Sequence, residues 1–157
     1  MVKKESLALL LGYLNNQMEI FHRLLALIAK KDTATEEETV YLGYLLHNLY
    51  CALEDLFREI AKTFENTVDE DPLRFHRQLL KRMSLEVPRI RPRVITPESY
   101  EILDELRGFR HIFRHSYAYS LSPEKVLHLK GKICARWSEI EKDLLRWKSF
   151  LEQHIEE

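Results

Sequence analysis

The sequence predicts an all-α protein, an antiparallel bundle of about five helices forming one domain over residues 1–157. Apolar residues recur at steps of three and four over long stretches, which is the spacing of one helix face. Glycine and proline are scarce, at 4 and 5 residues, and no stretch alternates as a strand does. No repeat, low-complexity tract or linker divides the chain, and its length suffices for one sizeable core.

Two long helices are predicted in the first part of the chain. The first extends from about residue 4 to 30, with an apolar seam at Leu7, Leu11, Leu14, Met18, Phe21, Leu25 and Ile28. Thr35 and Glu38 then form the capping-box pattern that begins a helix, and this second helix is predicted to end near residue 65. The short link between the two helices predicts an antiparallel hairpin.

Each of the three remaining helices begins with a capping residue followed by proline. These pairs are Asp71 and Pro72, Thr96 and Pro97, and Ser122 and Pro123. The corresponding helices are predicted to end near residue 85, between Ser116 and Tyr119, and near residue 154.

A proline-rich segment, residues 87–96, joins the third and fourth helices. Proline disfavours helix at the residue before it, so this segment is predicted to be an extended loop. On an extended chain Arg89, Arg91 and Arg93 point the same way. They belong either to a solvated connector or to a phosphate contact, and the sequence leaves their role open.

Composition and charge narrow the functional class. A formal net charge of −1 disfavours a protein that coats nucleic acid, but it allows a local basic site. Cys51 and Cys134 lie in apolar helical runs, so we expect two buried free thiols, a cytoplasmic location and no membrane association. The chain has no glycine-rich phosphate loop, G-x-S-x-G motif or acidic metal cluster, which disfavours an NTPase, a serine hydrolase and a metallonuclease.

The segment from Arg107 to Tyr117 carries the strongest indication of chemistry. It contains three arginines, two histidines and one tyrosine in eleven residues. On a helical wheel, Arg107, Arg110, His111 and Arg114 lie together. The apolar arc opposite comprises Ile102, Leu106, Phe109, Ile112 and Phe113. Such a stripe of cations most simply binds phosphate, and a histidine within it can transfer protons near neutral pH.

The eight residues from Arg110 to Tyr117, RHIFRHSY, match the signature RX4HXY. In this motif the chain resembles the HEPN superfamily, and specifically the HepT-like toxins of MNT/HEPN toxin–antitoxin pairs. The resemblance implies a HEPN-like homodimer with endoribonuclease activity that requires no metal or cofactor, with Arg110 and His115 as catalytic residues. It also implies an MNT-type nucleotidyltransferase antitoxin, which in some HepT-like toxins adds AMP to the motif tyrosine, here Tyr117.

Metal-independent RNA cleavage needs a base, an acid and cations that stabilise the phosphate in the transition state. His115 can act as base or acid, and the donor fork of Arg110 suits phosphate oxygens. On an ideal helix these two residues diverge by about 140°, so the helix must loosen or Arg110 must reach across. If the helix continues, Tyr117 lies about 20° from Arg110 on the wheel.

Several neighbouring residues have open roles. Arg107 and Arg114 either support substrate binding or are ordinary exposed arginines. His111 and His115 have the i, i+4 spacing of metal ligands, but the flanking arginines would repel a cation, so we expect no metal site.

The positions of two further groups of residues, one polar and one apolar, remain open. On the second helix, His47, Asn48 and Glu54 either support the central helix or face solvent or a dimer partner. On the central helix, Tyr100 and Leu103 are apolar residues on the polar side and agree with dimerisation.

Two other functional classes remain open beside the nuclease. One is a non-catalytic helical module that binds a nucleotidyltransferase or RNA through the same basic stripe, and the other is an inert helical adaptor. RNA cleavage in EDTA that depends on His115 would distinguish the nuclease from a binding module.

Overall fold

The computed structural model describes residues 2–65, 72–117 and 120–157, and within these ranges it contains five α-helices and no β-strand. The helices are α1 (Lys4–Lys30), α2 (Glu36–Glu65), α3 (Pro72–Met83), α4 (Pro97–His115) and α5 (Pro123–Glu156). The predicted all-α class is therefore confirmed. The helix bounds agree with the sequence pattern to within about two residues.

The predicted capping residues begin three of the helices. Thr35 Oγ1 accepts a hydrogen bond from the Glu38 N–H at 3.1 Å, and the Glu38 carboxylate accepts one from the Ala34 N–H at 3.2 Å. Thr96 and Ser122 each accept a hydrogen bond from the N–H three residues later, at 3.3 Å in both cases. Asp71, the cap predicted for α3, lies outside the described residues.

The four long helices pack around a shared apolar core. Helix α2 contacts every other helix, α1 and α4 each also pack against α5, and α3 lies against α2 and α4. The largest fully buried side chains include Phe21, Tyr50, Phe57 and Trp147, which come from α1, α2 and α5. Helix α2 is thus the central element on which α4 is positioned.

A glycine allows α2 and α4 to approach closely. A Cβ atom at Gly43 of α2 would lie 3.3 Å from ring carbons of both Phe109 and Phe113 of α4. A larger side chain here would have to displace these rings. The close contact therefore depends on the absence of a side chain at Gly43.

A buried carboxylate fixes the start of α4 to α5. Asp143 Oδ2 accepts hydrogen bonds from the Thr96 N–H and hydroxyl, both at 2.9 Å, and from the Ser99 hydroxyl at 2.6 Å. The other carboxylate oxygen accepts one from Arg146 at 3.3 Å. Because a buried charge is stable only when it is paired and hydrogen-bonded, this cluster restrains the first turn of α4.

The prediction of an extended loop with three similar arginines is wrong. The backbone reverses at Arg89, which has φ 69°, and Val87 pairs with Arg91 in a single β-bridge. Arg89 and Arg93 are exposed, but the Arg91 side chain is fully buried. It donates to the carbonyls of Leu85, Pro92 and Arg82 and to the Glu65 carboxylate. Arg91 therefore organises the turn and is unavailable to phosphate.

Three other expectations, which concern five residues, need correction. Leu103 is fully buried, and Tyr100 is half-buried beneath the Lys81 ammonium, 4.8 Å from its ring centroid, so neither supports an exposed dimer face. Ile112, expected on the apolar arc, is 55% exposed because it lies at the edge of that arc, whereas Phe113 next to it packs against the core. Both thiols are free, but Cys51 is only half-buried and Cys134 is exposed.

None of the helices in the part of the chain that the structure describes has the length and hydrophobicity of a membrane span.

Candidate functional site

Helix α4 carries five of the six predicted site residues in its last three turns. It ends at His115, because Ser116 has extended backbone angles of φ −104° and ψ 147°. Tyr117 follows in non-helical backbone, so the expected helical relation between Tyr117 and Arg110 does not hold. The end of the helix instead leaves His115 on its last turn and Tyr117 just beyond it.

Arg110 turns away from the exposed stripe and towards α2. Its Nη1 atom donates to Glu54 Oε2 at 3.2 Å, and its guanidinium carbon lies 6.0 Å from the ring centroid of Tyr50. Its side chain is only 18% exposed. Arg110 is therefore held between α2 and α4, with a limited part of its surface open to solvent.

Glu54 is a buried carboxylate shared by two arginines. Its side chain is 4% exposed, and its second oxygen, Oε1, accepts from Arg58 Nη2 at 3.2 Å. The three groups together carry two positive charges and one negative charge. The buried Glu54 carboxylate is thus paired with two guanidinium groups, and Arg58 also pairs with the exposed Asp55 carboxylate at 3.7 Å.

His111 and His115 are exposed neighbours on the last turn of α4. Their ring centroids lie 4.6 Å apart, as the i, i+4 spacing predicts. Among the described residues, no group of three or more His, Cys, Asp or Glu side chains is arranged to hold a metal ion. Arg110 donates a hydrogen bond to Glu54 on α2, whereas His115 is exposed to solvent.

Arg107 and Arg114 differ in their surroundings. Arg107 forms an ion pair with Asp104 one turn earlier, with contacts of 2.8 and 2.9 Å. Arg114 is exposed beside His115. Arg114 is therefore the more accessible cation of the two.

Part of the site comes from α2, where the sequence left the roles open. Glu54 and His47 both contact α4: His47 lies 5.1 Å from Phe113, measured between ring centroids. Asn48 is half-buried. Tyr50 was not identified from sequence, since an aromatic residue in an apolar seam looks like ordinary core.

Burial next to Arg110 changes the ionisation of the α2 side chains. Desolvation, and then the positive charges of Arg110 and Arg114, lower the pKa of His47. Desolvation also raises the pKa of Cys51, an effect that Arg110 opposes. Burial first, and the Glu54 carboxylate second, raise the pKa of Tyr50 above its usual range. His47, Cys51 and Tyr50 are therefore all biased towards their neutral forms.

An open groove of about 960 Å³ adjoins the end of α4. It is lined by Thr35, Glu36, Glu37, Val40, Tyr41, Tyr44 and Phe113. Tyr41 and Tyr44 are among the exposed large side chains of the protein, and Phe113 connects the groove with the motif helix. We call this set of residues the aromatic groove.

Comparison with known proteins identifies the family. A family model described as HepT-like protein matches residues 41–151, which include most of α2, all of α4 and most of α5. No curated protein and no solved structure gave a significant match. The matched region contains Glu54 and every candidate residue from Arg107 to Tyr117. Because the match covers most of the sequence, the chain belongs to the HepT-like family of the HEPN superfamily.

Proposed function

We propose that the protein is a metal-independent endoribonuclease, the toxin of a toxin–antitoxin pair. The observation that carries the proposal is the end of α4, where His115 and Arg114 are exposed and Arg110, on the preceding turn, is partly open between α2 and α4. Membership of the HepT-like family supports it, because proteins of this family are generally ribonucleases. Arg110 and His115 are the proposed catalytic residues.

In the proposed reaction, the 2′-oxygen of RNA attacks the adjacent phosphorus while a base accepts the 2′-hydroxyl proton. The bond from phosphorus to the 5′-oxygen breaks, and an acid protonates that oxygen. His115 serves as base or acid, because an imidazole exchanges protons near neutral pH. Arg110 stabilises the charge on the phosphate oxygens. Arg107, His111 and Arg114 are placed to support substrate binding.

The experiment that tests this function is RNA cleavage by purified protein in EDTA. Products should form at the same rate when Mg²⁺ is present in excess, because the proposed acid, base and cations are all side chains. Cleavage that EDTA abolishes and Mg²⁺ restores would contradict the proposal. Binding of RNA without any cleavage would favour the alternative, a non-catalytic module that binds RNA or a nucleotidyltransferase.

A homodimer is part of the proposal, because the reaction needs both an acid and a base. A two-fold axis near the end of α4 would bring two copies of His115 to one cleft. The aromatic groove supports self-association there, since it exposes Tyr41 and Tyr44 beside the motif helix. Its rim has complementary charges: Glu36 and Glu37 lie on the α2 side, and the exposed Arg114 follows Phe113 on α4.

Tyr44→Glu is expected to convert the dimer to a monomer. Tyr44 is 50% exposed, so the substitution adds a charge to the groove without disturbing the core. Native mass spectrometry and light scattering give the oligomeric state, and circular dichroism verifies the fold. Leu145→Glu on α5, a residue that is 49% exposed, is the matched control and should remain dimeric. A Tyr44→Glu protein that stays dimeric would place the interface elsewhere.

Regulation by a cognate MNT-type nucleotidyltransferase is proposed to act at Tyr117. This residue is 72% exposed in non-helical backbone directly after the motif helix, so an enzyme can reach its phenol. Each AMP unit brings a phosphodiester with about one negative charge, which can pair with arginine. The modified side chain would then compete with RNA phosphate for the cations at the end of α4.

Tyr117→Phe is expected to cleave RNA normally yet to escape inhibition after co-expression with the nucleotidyltransferase. Wild-type protein from the same co-expression should gain the mass of one or more AMP units on Tyr117 and lose cleavage. Intact mass and peptide mapping provide the measurement, and the peptides that contain Tyr41 and Tyr44, which are exposed and should stay unmodified, are the internal control. AMP on Tyr119 alone, a residue outside the described part of the chain, would show that the wrong tyrosine has been assigned.

A further inference from the structure

The most unusual buried group near the proposed site is the carboxylate of Glu54. Of the acidic residues on α2, Glu54 and its neighbour Asp55 both contact Arg58, but the side chain of Glu54 is 4% exposed and that of Asp55 is 54% exposed. Only Glu54 of these two also reaches α4, where it binds Arg110 at 3.2 Å. A buried carboxylate is costly unless it is paired, so its position depends on these arginines.

We infer that Glu54 is a positioning residue, which orients the Arg110 guanidinium for the phosphate of the substrate. The inference rests on the proposed ribonuclease function. It extends that function by adding a residue of α2, which lies outside the motif and does not itself touch RNA.

The geometry on α2 forms a cradle for Arg110. Tyr50, Glu54 and Arg58 follow one another at i, i+4 and i+8, so they lie along one face of the helix. The Tyr50 ring centroid lies 6.0 Å from the guanidinium carbon, and Glu54 binds one of the terminal nitrogens. With one terminal nitrogen fixed by Glu54, less rotational freedom is lost when phosphate binds.

The charge of the cradle explains how a carboxylate can support a phosphate site. Glu54 alone would neutralise Arg110 and repel phosphate. Arg58 binds the other oxygen of the same carboxylate at 3.2 Å, so Glu54 divides its charge between two guanidinium groups, and the Asp55 carboxylate that also pairs with Arg58, at 3.7 Å, is exposed to screening by solvent. The contact with Glu54 uses only one terminal nitrogen of Arg110 and its Nε–H is buried, so the remaining terminal N–H groups are the donors left for phosphate oxygens.

The primary test compares steady-state RNA cleavage, over a range of RNA concentrations, by Glu54→Gln and by Asp55→Asn. Gln retains the size of the side chain and one acceptor oxygen but loses the charge, so Arg110 should lose its fixed orientation. We expect kcat to fall by about 10²-fold, the scale of a misplaced catalytic group, with a much smaller change in KM. Asp55→Asn removes the exposed neighbouring carboxylate and should leave kcat unchanged. Glu54→Asp, which keeps the charge on a shorter side chain, should recover part of the loss.

A double-mutant cycle separates positioning from simple structural support. If Glu54 acts through Arg110, Glu54→Gln should reduce cleavage little further in an Arg110→Ala background. A purely structural ion pair would lower thermal stability without this non-additivity in kcat. Circular dichroism defines a temperature at which all variants are folded. If Glu54→Gln does not fold at any temperature, Glu54→Asp is used in its place, both alone and in the cycle.

Two results would overturn the inference while the proposed function stands: a folded Glu54→Gln that cleaves at the wild-type rate, or a full additional loss in the Arg110→Ala background. Wild-type protein that cleaves no RNA at all would instead refute the proposed function and the inference together. The three outcomes are distinguishable, because wild type, Asp55→Asn and the Glu54 variants are assayed side by side.

Discussion

Replacing His115 with alanine is expected to reduce RNA cleavage by at least about 10² to 10⁴-fold, the contribution of one acid–base group. His115 lies exposed on the last turn of α4, so its removal leaves no cavity in the core. The helical content, melting temperature and oligomeric state should therefore match those of wild type. Single-turnover cleavage in EDTA, measured beside circular dichroism and light scattering, tests both parts of this prediction.

His128→Ala provides a matched control, since His128 is an exposed histidine on α5, outside the proposed site. It should cleave RNA at the wild-type rate. If His115→Ala were equally active, the assignment of His115 as acid or base would be wrong.

Arg110→Ala is expected to lower kcat by about 10² to 10³-fold, the range seen when one group that stabilises transition-state charge is removed. Arg110→Lys should recover only part of this loss, because an ammonium cannot reproduce the bidentate fork of a guanidinium. Arg110→Ala also takes one cation from the buried Glu54 carboxylate, so it should lower the melting temperature as well.

The two effects of Arg110→Ala are separated by assaying cleavage well below the melting temperature of each variant. Arg136→Ala is the control, because Arg136 forms an exposed ion pair with Glu139 on α5 and should change neither property. Wild-type cleavage by Arg110→Lys would show that a single positive charge is sufficient at this position.

The helices could be predicted because their signals are local. The apolar seam from Leu7 to Ile28 defines α1, and Thr96 caps α4 through a residue only three positions away. The motif from Arg110 to Tyr117 is contiguous in sequence, so the family could also be identified from these residues. The family match over residues 41–151 confirms that identification.

Features that depend on distant residues could not be predicted in the same way. The partner of Arg110 is Glu54, which is 56 positions away in the sequence, and sequence left Glu54 with two alternative orientations. Arg91 alternates with Arg89 and Arg93 in the sequence. The left-handed backbone at Arg89 nevertheless turns the Arg91 side chain into the interior. Helix periodicity assigned Leu103 to the polar side of α4. It could not show that α3 and α5 both pack against α4, because those contacts join distant parts of the chain.

Attack by the 2′-oxygen is tested by incubating purified protein in EDTA with an RNA strand and, separately, with a DNA strand of the same sequence. Attack by the 2′-oxygen predicts that only the RNA is cut. Its products should carry a 2′,3′-cyclic phosphate on one side of the break and a 5′-hydroxyl on the other, which mass spectrometry of the fragments identifies. Cleavage of the DNA strand, or RNA fragments with 5′-phosphate ends, would contradict a mechanism in which the 2′-hydroxyl is the nucleophile.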